Sequence, residues 1–310
     1  MRQILDAAAR HGRLLLIVGL AAGIAAPDLA LAAKRWIPEL IAAMLFLAAL
    51  RIGPKQALGA ARDLGRSVGG VLVGQLALPV GFAALCLAMG WTGPLPTALT
   101  LMLAACSISG SPSLTIMTGH DPAPALRLLI VGTALLPLTV LPVFLVSPAL
   151  GSGTEIVGAA GRLLAVILAA VAGAFIFRAL LPREPSPSAI RSLDGMAAIL
   201  MAVVVIGLMS AVGPAIYGDP RGLAFNLAVA FAANFGLQLL GARLARRFVG
   251  KDAAPAFGIV AGNRNIALFL TALPPATTDP LLLFIGCYQI PMYLTPLLLG
   301  RYYARVSRDG

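Results

Sequence analysis

Long apolar stretches separated by short polar ones dominate this chain. Stretches of about 20 residues, each long enough to cross a ~30 Å hydrocarbon core as a helix, fall near residues 14–33, 37–53, 66–90, 94–118, 124–149, 156–181, 192–214, 222–243, 253–273 and 280–303. The pattern predicts an all-α polytopic membrane protein with ten transmembrane helices. Two stretches are interrupted from within, the fourth by Ser107-Ile108-Ser109-Gly110-Ser111-Pro112-Ser113 and the ninth by Gly262-Asn263-Arg264-Asn265. A bilayer core has no water for freed backbone groups, so broken helices persist there only where protein or a water-filled cavity surrounds them. For either break alone, a kink or close packing by small residues such as Gly110 and Ser111 is an equal explanation. Two polar breaks at equivalent positions point to a site.

The equivalence comes from a boundary at Gly151-Ser152-Gly153-Thr154, which divides the chain into residues 1–150 and 151–310 with five predicted helices in each. In both units the fourth helix carries the break. Because five is odd, two similar units in sequence must lie upside down relative to each other in the bilayer. Such inverted repeats are a common transporter plan, with discontinuous helices meeting near the midplane. Pseudo-symmetry would bring helices 4 and 9 together as a crossing. The longest polar link, Arg183-Glu184-Pro185-Ser186-Pro187-Ser188, follows helix 6.

Composition narrows the class further. With 59% hydrophobic and 11% charged residues, the chain is unlike a soluble domain, in which about a quarter of residues are charged. The net charge of +11 would suit nucleic acid, but the placement of Lys and Arg argues for topology instead. Both termini and the loops after helices 2, 4, 6 and 8 share one side. That side holds Arg2, Arg10, Arg13, Arg51, Lys55, Arg62, Arg66, Arg178, Arg183, Arg191, Arg243, Arg246, Arg247, Lys251, Arg301, Arg305 and Arg308, which leaves only six of the 23 basic residues elsewhere. The expectation is an inner (cytoplasmic) membrane protein with both termini cytoplasmic and the lipid bilayer, not nucleic acid, as its surroundings. The first stretch, with its basic start and the small residues of Leu29-Ala30-Leu31-Ala32-Ala33, also fits a signal peptide, whose cleavage would leave nine helices and an outside N-terminus. Cys86, Cys106 and Cys287 lie within predicted helices and read as buried thiols. No cluster of His and acidic residues suggests a metal, and no cofactor is expected.

The two breaks are also where the chain resembles the bile acid:sodium symporter superfamily, over residues 14 to 303. Gly110, Ser111, Pro112 and Ser113 match that family's fourth-helix Ser-Pro-Gly-Gly-Ser-Pro-Ser-Asn pattern. The run from Leu240 to Arg246, followed by Gly262-Asn263-Arg264-Asn265, is similar to the approach to the family's Glu-x-Gly-Met-Gln-Asn motif, with Gly262 and Asn265 matching. The resemblance implies a panel of helices 1, 2, 6 and 7 and a core of helices 3–5 and 8–10, with substrate bound between them beside the crossing. It implies transport of organic anions by alternating access, the core moving against the panel as an elevator, usually with sodium.

Departures from the family pattern fall on its sodium ligands. The family's Glu aligns with Val260, its Gln with Arg264, the Asn after the fourth-helix Ser with Leu114, and two helix 5 ligands with Arg127 and Val131; Ser113 remains. A guanidinium neither ligates a cation nor loses its proton in a protein. The expectation is therefore a sodium-independent carrier in which Arg127 and Arg264 replace the bound cations. Arg127, about five residues into helix 5, can alternatively snorkel to water. Arg264 is mid-span, where an unpaired charge costs at least ~2.5–3.5 kcal/mol. No Asp or Glu occupies the middle of any predicted helix, so its expected partners are carbonyls freed at the breaks or a substrate carboxylate, which suits its planar fork.

These arguments select Arg264, Asn263, Asn265, Ser109, Ser111, Ser113 and Asn234 as substrate-binding candidates. Gln75, Asn226, Gln238, Tyr288 and Gln289 are secondary candidates for which interhelical glue is an equal reading. Asn234 matches a family position, and Gln75 is displaced by one from the family's helix 3 Gln. His120 and Asp121 offer the one plausible route for proton coupling, although His-Asp-Pro also reads as a loop turn. Sodium- or proton-coupled symport is the alternative within the class. From another class, an intramembrane serine hydrolase would need a base beside Ser109, Ser111 or Ser113, and no Gly-x-Ser-x-Gly elbow is present. A channel is less suited than a carrier to paired discontinuous helices.

Overall fold

A computed structural model describes residues 2–60, 64–151, 153–181 and 185–306. Arg62, Ser152, Arg183, Glu184 and Arg308, used above for topology and boundaries, lie outside them. The described residues form an all-α bundle. Seven helical stretches are long and apolar enough to cross a membrane: Ile37–Ala57, Gly65–Ala88, Ala123–Val146, Gly153–Leu180, Pro187–Gly218, Pro220–Phe248 and Pro275–Val306. They coincide with seven of the predicted stretches, and the architecture is that of a polytopic membrane protein. Large apolar side chains such as Leu14, Ile17, Leu85, Leu138, Leu168, Phe177 and Phe225 project outward, as a lipid-facing surface requires.

The other three stretches are divided. After α1 (Arg2–Arg10), residues 14–33 form α2 (Gly12–Ala25) and α3 (Pro27–Lys34). The break at Ala26, with φ −124° and ψ 81°, follows from Pro27, which has no N–H and disfavours helical geometry in the residue before it. The remaining two are the polar breaks. The first separates α7 (Pro94–Ala104) from the short, two-turn α8 (Ser111–Met117), and the second separates α14 (Ala254–Gly262) from a 3₁₀ segment, Ile266–Thr271.

Two layers can be read from the packing. In one, α4 (Ile37–Ala60) packs on α10 (Gly153–Leu180) and α11 (Pro187–Leu208), and α11 also packs on α1, α2 and α3. In the other, α9 (Ala123–Val146) gathers α7, α8, α14 and the third long stretch, which is α5 (Leu64–Val71), a π-turn at Leu72–Ala77 and α6 (Leu78–Ala88). There α13 (Pro220–Phe248) packs on α14 and on α16 (Leu282–Val306). After α11 a short α12 (Val212–Gly218) leads into α13, and α15 (Pro275–Thr278) precedes α16. The principal core lies between the layers, around Phe144, Phe269, Phe284, Tyr288 and Leu208.

The helix of residues 37–53 runs past its expected end because a kink, not a stop, occurs there. Gly53 takes φ 71° and ψ 163°, and Pro54 has no N–H to give the Leu50 carbonyl four residues earlier. Arg178 of α10 supplies the missing donor, its Nη1 lying 2.7 Å from that oxygen. A Cβ on residue 53 would stand 2.7 Å from the Arg178 Cζ. This backbone region is open essentially to glycine alone, at a cost of about 1–3 kcal/mol for other residues. Gly53→Ala is therefore expected to lower the thermal unfolding midpoint of the purified protein in detergent, while an Ala replacement at exposed Gly59, which has open space around it, leaves it unchanged.

Candidate functional site

The two breaks meet. Ser107 and Arg264 form an antiparallel β-bridge, with the Ile108 N–H donating to Asn263 O at 3.1 Å and the Asn265 N–H donating to Cys106 O at 2.8 Å. Each interruption leaves backbone donors and acceptors unpaired within its own helix. Here each break satisfies the other, which is the condition for irregular backbone at membrane depth.

Arg264 closes the crossing. Its side chain is 5% exposed and donates from Nε to Ala261 O at 2.8 Å, from Nη1 to Ala105 O at 3.1 Å and from Nη2 to Gly74 O at 3.2 Å. Each acceptor is a carbonyl that a helix has released. Ala105 caps the end of α7 with an extended ψ of 147°, and Ala261 sits in the last turn of α14. Gly74 belongs to the π-turn, where the Leu78 N–H reaches back to Val73 O instead of Gly74 O, and Pro79 has no N–H to offer. The guanidinium also faces the C-terminal, partially negative ends of both α7 and α14, an arrangement that favours a cation. Three of its five N–H groups are thereby used. Arg264 thus has carbonyl partners, one of the two possibilities expected from its mid-span position.

Asn263 and Asn234 turn away into a buried polar network. Asn234 donates to Gly262 O and, at 3.4 Å, to Asn263 Oδ1, while Asn263 Nδ2 donates to Ile259 O at 2.8 Å. Gln238 Nε2 donates to Asn234 Oδ1 at 2.6 Å and to Thr295 Oγ1 at 2.8 Å, and its Oε1 accepts from Tyr303 OH at 2.8 Å. Tyr288 OH donates to Gly262 O and accepts the Arg264 backbone N–H at 3.3 Å. A Cβ on Gly262 would overlap the Asn234 carbonyl, so α14 can lie this close to α13 only with glycine there. These amides and hydroxyls hold the second break against α13 and α16. Gln75 does similar work elsewhere, donating to Gly132 O at 2.9 Å and Thr139 Oγ1 at 3.0 Å. Asn226 bonds to Gly222 O of its own helix.

A cavity of about 340 Å³ lies against the other face of the crossing. Its polar margin is Ser107, Ser109, Thr133, Arg264, Asn265 and Gln289, and the rest of its wall is apolar, from α4, α9, α10, α11 and α16 together with Ile108, Ile266 and Ala267 of the breaks. It extends toward Ile52 and Ala57 of α4 and Phe175 of α10. At the opposite end the layers are linked: Arg162 Nε donates to Ala272 O at 2.8 Å, and Lys34 pairs with Asp279 at 2.9 Å.

Of the predicted substrate contacts, the fold therefore brings Arg264, Asn265 and Ser109 to the cavity, together with the secondary candidate Gln289. Ser111 is fully buried and bonds to Ser107 Oγ, and Ser113 is exposed away from the cavity. Arg127 is not at the crossing. It lines a separate polar pocket with Arg66, Ser67, Asp121 and Asp252. Asp121 Oδ1 accepts the Ala123 N–H at 2.9 Å, beginning α9, and His120 Nδ1 pairs with Thr118 Oγ1 at 3.2 Å, its ring edge-on to Tyr303. Burial, partly offset by hydrogen bonding, lowers the His120 pKa from its ordinary value. A histidine held neutral in this way contributes its stability above the unfolded-state pKa and loses it as the pH falls.

Sequence reasoning missed the Gly74 carbonyl, although Pro79 five residues on was a usable signal. It also missed Thr133, Thr295 and Tyr303, whose roles depend on neighbours distant in sequence. No protein-family model matches this chain, and no curated protein matches it significantly.

Removing one amide from the network leaves its partners buried and unsatisfied, at a cost of about 1–3 kcal/mol. Asn234→Ala is thus expected to lower the unfolding midpoint in detergent, with Asn226→Ala, whose amide bonds only within its own helix, as the nearly silent control.

Proposed function

We propose that this protein is a secondary transporter of organic anions that works by alternating access without sodium. The observation that carries the reading is the position of Arg264: a permanent cation fixed between the released carbonyls of two crossing helix breaks, in the wall of a cavity between two layers. A transporter crossing commonly uses such carbonyls to hold a mobile cation. Here a tethered guanidinium occupies them, so the crossing is satisfied whether or not sodium is present. The resemblance of both breaks to the bile acid:sodium symporter superfamily, with its cation ligands replaced, supports the same reading. So does the packing of α1–α4, α10 and α11 in one layer and of α5–α9, α13, α14 and α16 in the other, the division expected of a panel and a core; in this proposal ten helices form two inverted units.

Arg264 alone takes the cation-replacing role in this proposal, because Arg127 lies in a different pocket. The two guanidinium N–H groups left over, with Asn265, Ser109 and Gln289, form the polar end of the cavity and meet the anionic group of the substrate. The apolar remainder takes a hydrocarbon body. The cavity reaches toward the end of α4 that the basic residues place in the cytoplasm, and the Arg162 and Lys34 links close the other end, so this is an inward-facing state. Efflux of an anion from a negative interior is favoured by ~2.3 kcal/mol per unit charge per 100 mV. A serine hydrolase is disfavoured by His120, which bonds Thr118 beyond α8 and is absent from the cavity wall around Ser107 and Ser109.

Proteoliposome uptake of labelled aliphatic and aromatic carboxylates and sulfonates tests the reading. Saturable uptake is expected to be the same with sodium or choline outside, and to fall by at least ~100-fold in Arg264→Gln, the scale of losing a buried charge-assisted contact. Strong sodium dependence of the parent, or unchanged uptake by the variant, would refute it.

A further inference from the structure

One group of arginines is clustered without acidic partners among the described residues, although Arg247 also lies over the Phe248 ring at 5.9 Å. α13 and α16 pack along each other and run in the same direction: Asn234 and Tyr288 both reach the Gly262 carbonyl at one level, and Gln238 donates to Thr295 at 2.8 Å further along both helices. Their ends therefore coincide, and Arg243, Arg246, Arg247, Arg301 and Arg305 are all exposed there. Among the described residues none of the five forms an ion pair. The contrast is with Arg51, paired with Asp194 at 2.6 Å, and Arg178, used by the Leu50 carbonyl.

The surroundings of the group are amphipathic. Arg243 and Arg246 stand close enough to Tyr302 to act on it electrostatically, and Arg305 is one turn beyond Tyr302 on α16. Directly beneath, Leu240, Leu244, Leu297 and Leu298 are about half exposed or more. Leu240 and Leu244 share a face with Arg243 and Arg247, and Leu298 shares one with Tyr302 and Arg305, by their three- and four-residue spacings. Cationic donors thus sit above an apolar strip at the end of two lipid-facing helices. A solvated topology signal needs only the charges. The convergence of arginines from both helices around Tyr302, with uncovered leucines below, fits a phosphate diester carrying acyl chains.

We propose that the joined ends of α13 and α16 bind an anionic phospholipid, its phosphate against Arg243, Arg246 and Arg305 and its chains along the exposed leucines. The test is native mass spectrometry of the full-length protein in detergent, titrated with phosphatidylglycerol or phosphatidylcholine of identical chains. Phosphatidylglycerol is expected to bind at least ~10-fold more tightly, with the preference shrinking in high salt. Arg243→Gln/Arg246→Gln/Arg305→Gln is expected to abolish the preference, the corresponding triple Lys variant to retain much of it, and Arg2→Gln/Arg10→Gln to leave it intact. Should the triple Gln variant fail to fold, Arg305→Glu alone gives the same readout. Equal binding of the two lipids, an equal loss in the Arg2/Arg10 variant, or equally effective competition by soluble glycerol 3-phosphate would overturn the proposal.

Discussion

The three hydrogen bonds from Arg264 to backbone carbonyls are the interaction on which the centre of this structure depends. Two helices end in the middle of the bundle and a third widens into a π-turn, and each leaves an oxygen with no helical donor. In a medium without water such groups cost several kcal/mol apiece. One planar, permanently charged side chain reaches all three at 2.8–3.2 Å. The same contacts solve the converse problem, since a guanidinium buried here would be untenable without acceptors. Neither the breaks nor the arginine is stable alone, and each accounts for the other.

Around this centre the polar residues divide by orientation. Asn263, two residues from Asn265 in sequence, faces α13 and α16 and is bound into a network with Asn234, Gln238, Thr295 and Tyr288. Asn265 faces the cavity. Regular strand alternation would put residues two apart on the same face, but the irregular backbone of the break, with Asn263 at φ −105°, ψ 83° and Asn265 at φ −86°, ψ 62°, turns the two side chains apart, so one short segment is both anchored and presented. The fixed side is tightly satisfied, and the cavity side keeps donors for a ligand. In the proposed transport cycle this division matters, because the segment that meets substrate must move with its helices as one body.

Much of the coarse architecture was legible from hydropathy. A long apolar stretch in a chain with few charges has little choice but to become a membrane-spanning helix, and the strong breakers Ser-Gly-Ser-Pro and Gly-Asn-Arg-Asn localised the interruptions. Legibility failed where the signal was a relation between distant residues. The release of the Gly74 carbonyl is local, but its pairing with Arg264 spans 190 positions. The kink at Gly53 and Pro54 was visible as a helix end, yet continuation of the helix depends on Arg178, which no local window contains. For Arg127 the sequence left two readings, a place beside Arg264 by alignment or a reach to water near the helix start, and its position in a polar pocket at the end of the bundle agrees with the second.

The sequence by itself determined that this is a helical membrane protein, where its helices are interrupted, and that a charge with no nearby acid lies in one interruption. Those are consequences of solvent transfer and backbone chemistry, which act residue by residue. Only the tertiary structure decided that the two interruptions bond to each other, that released carbonyls hold Arg264, and which of the neighbouring asparagines and serines face a cavity. Facing is a property of packing. Asn263 and Asn265, or Ser109 and Ser111, are chemically equivalent as sequence, and only the positions of α13, α16 and the opposite layer distinguish a buried strut from a group available to a ligand.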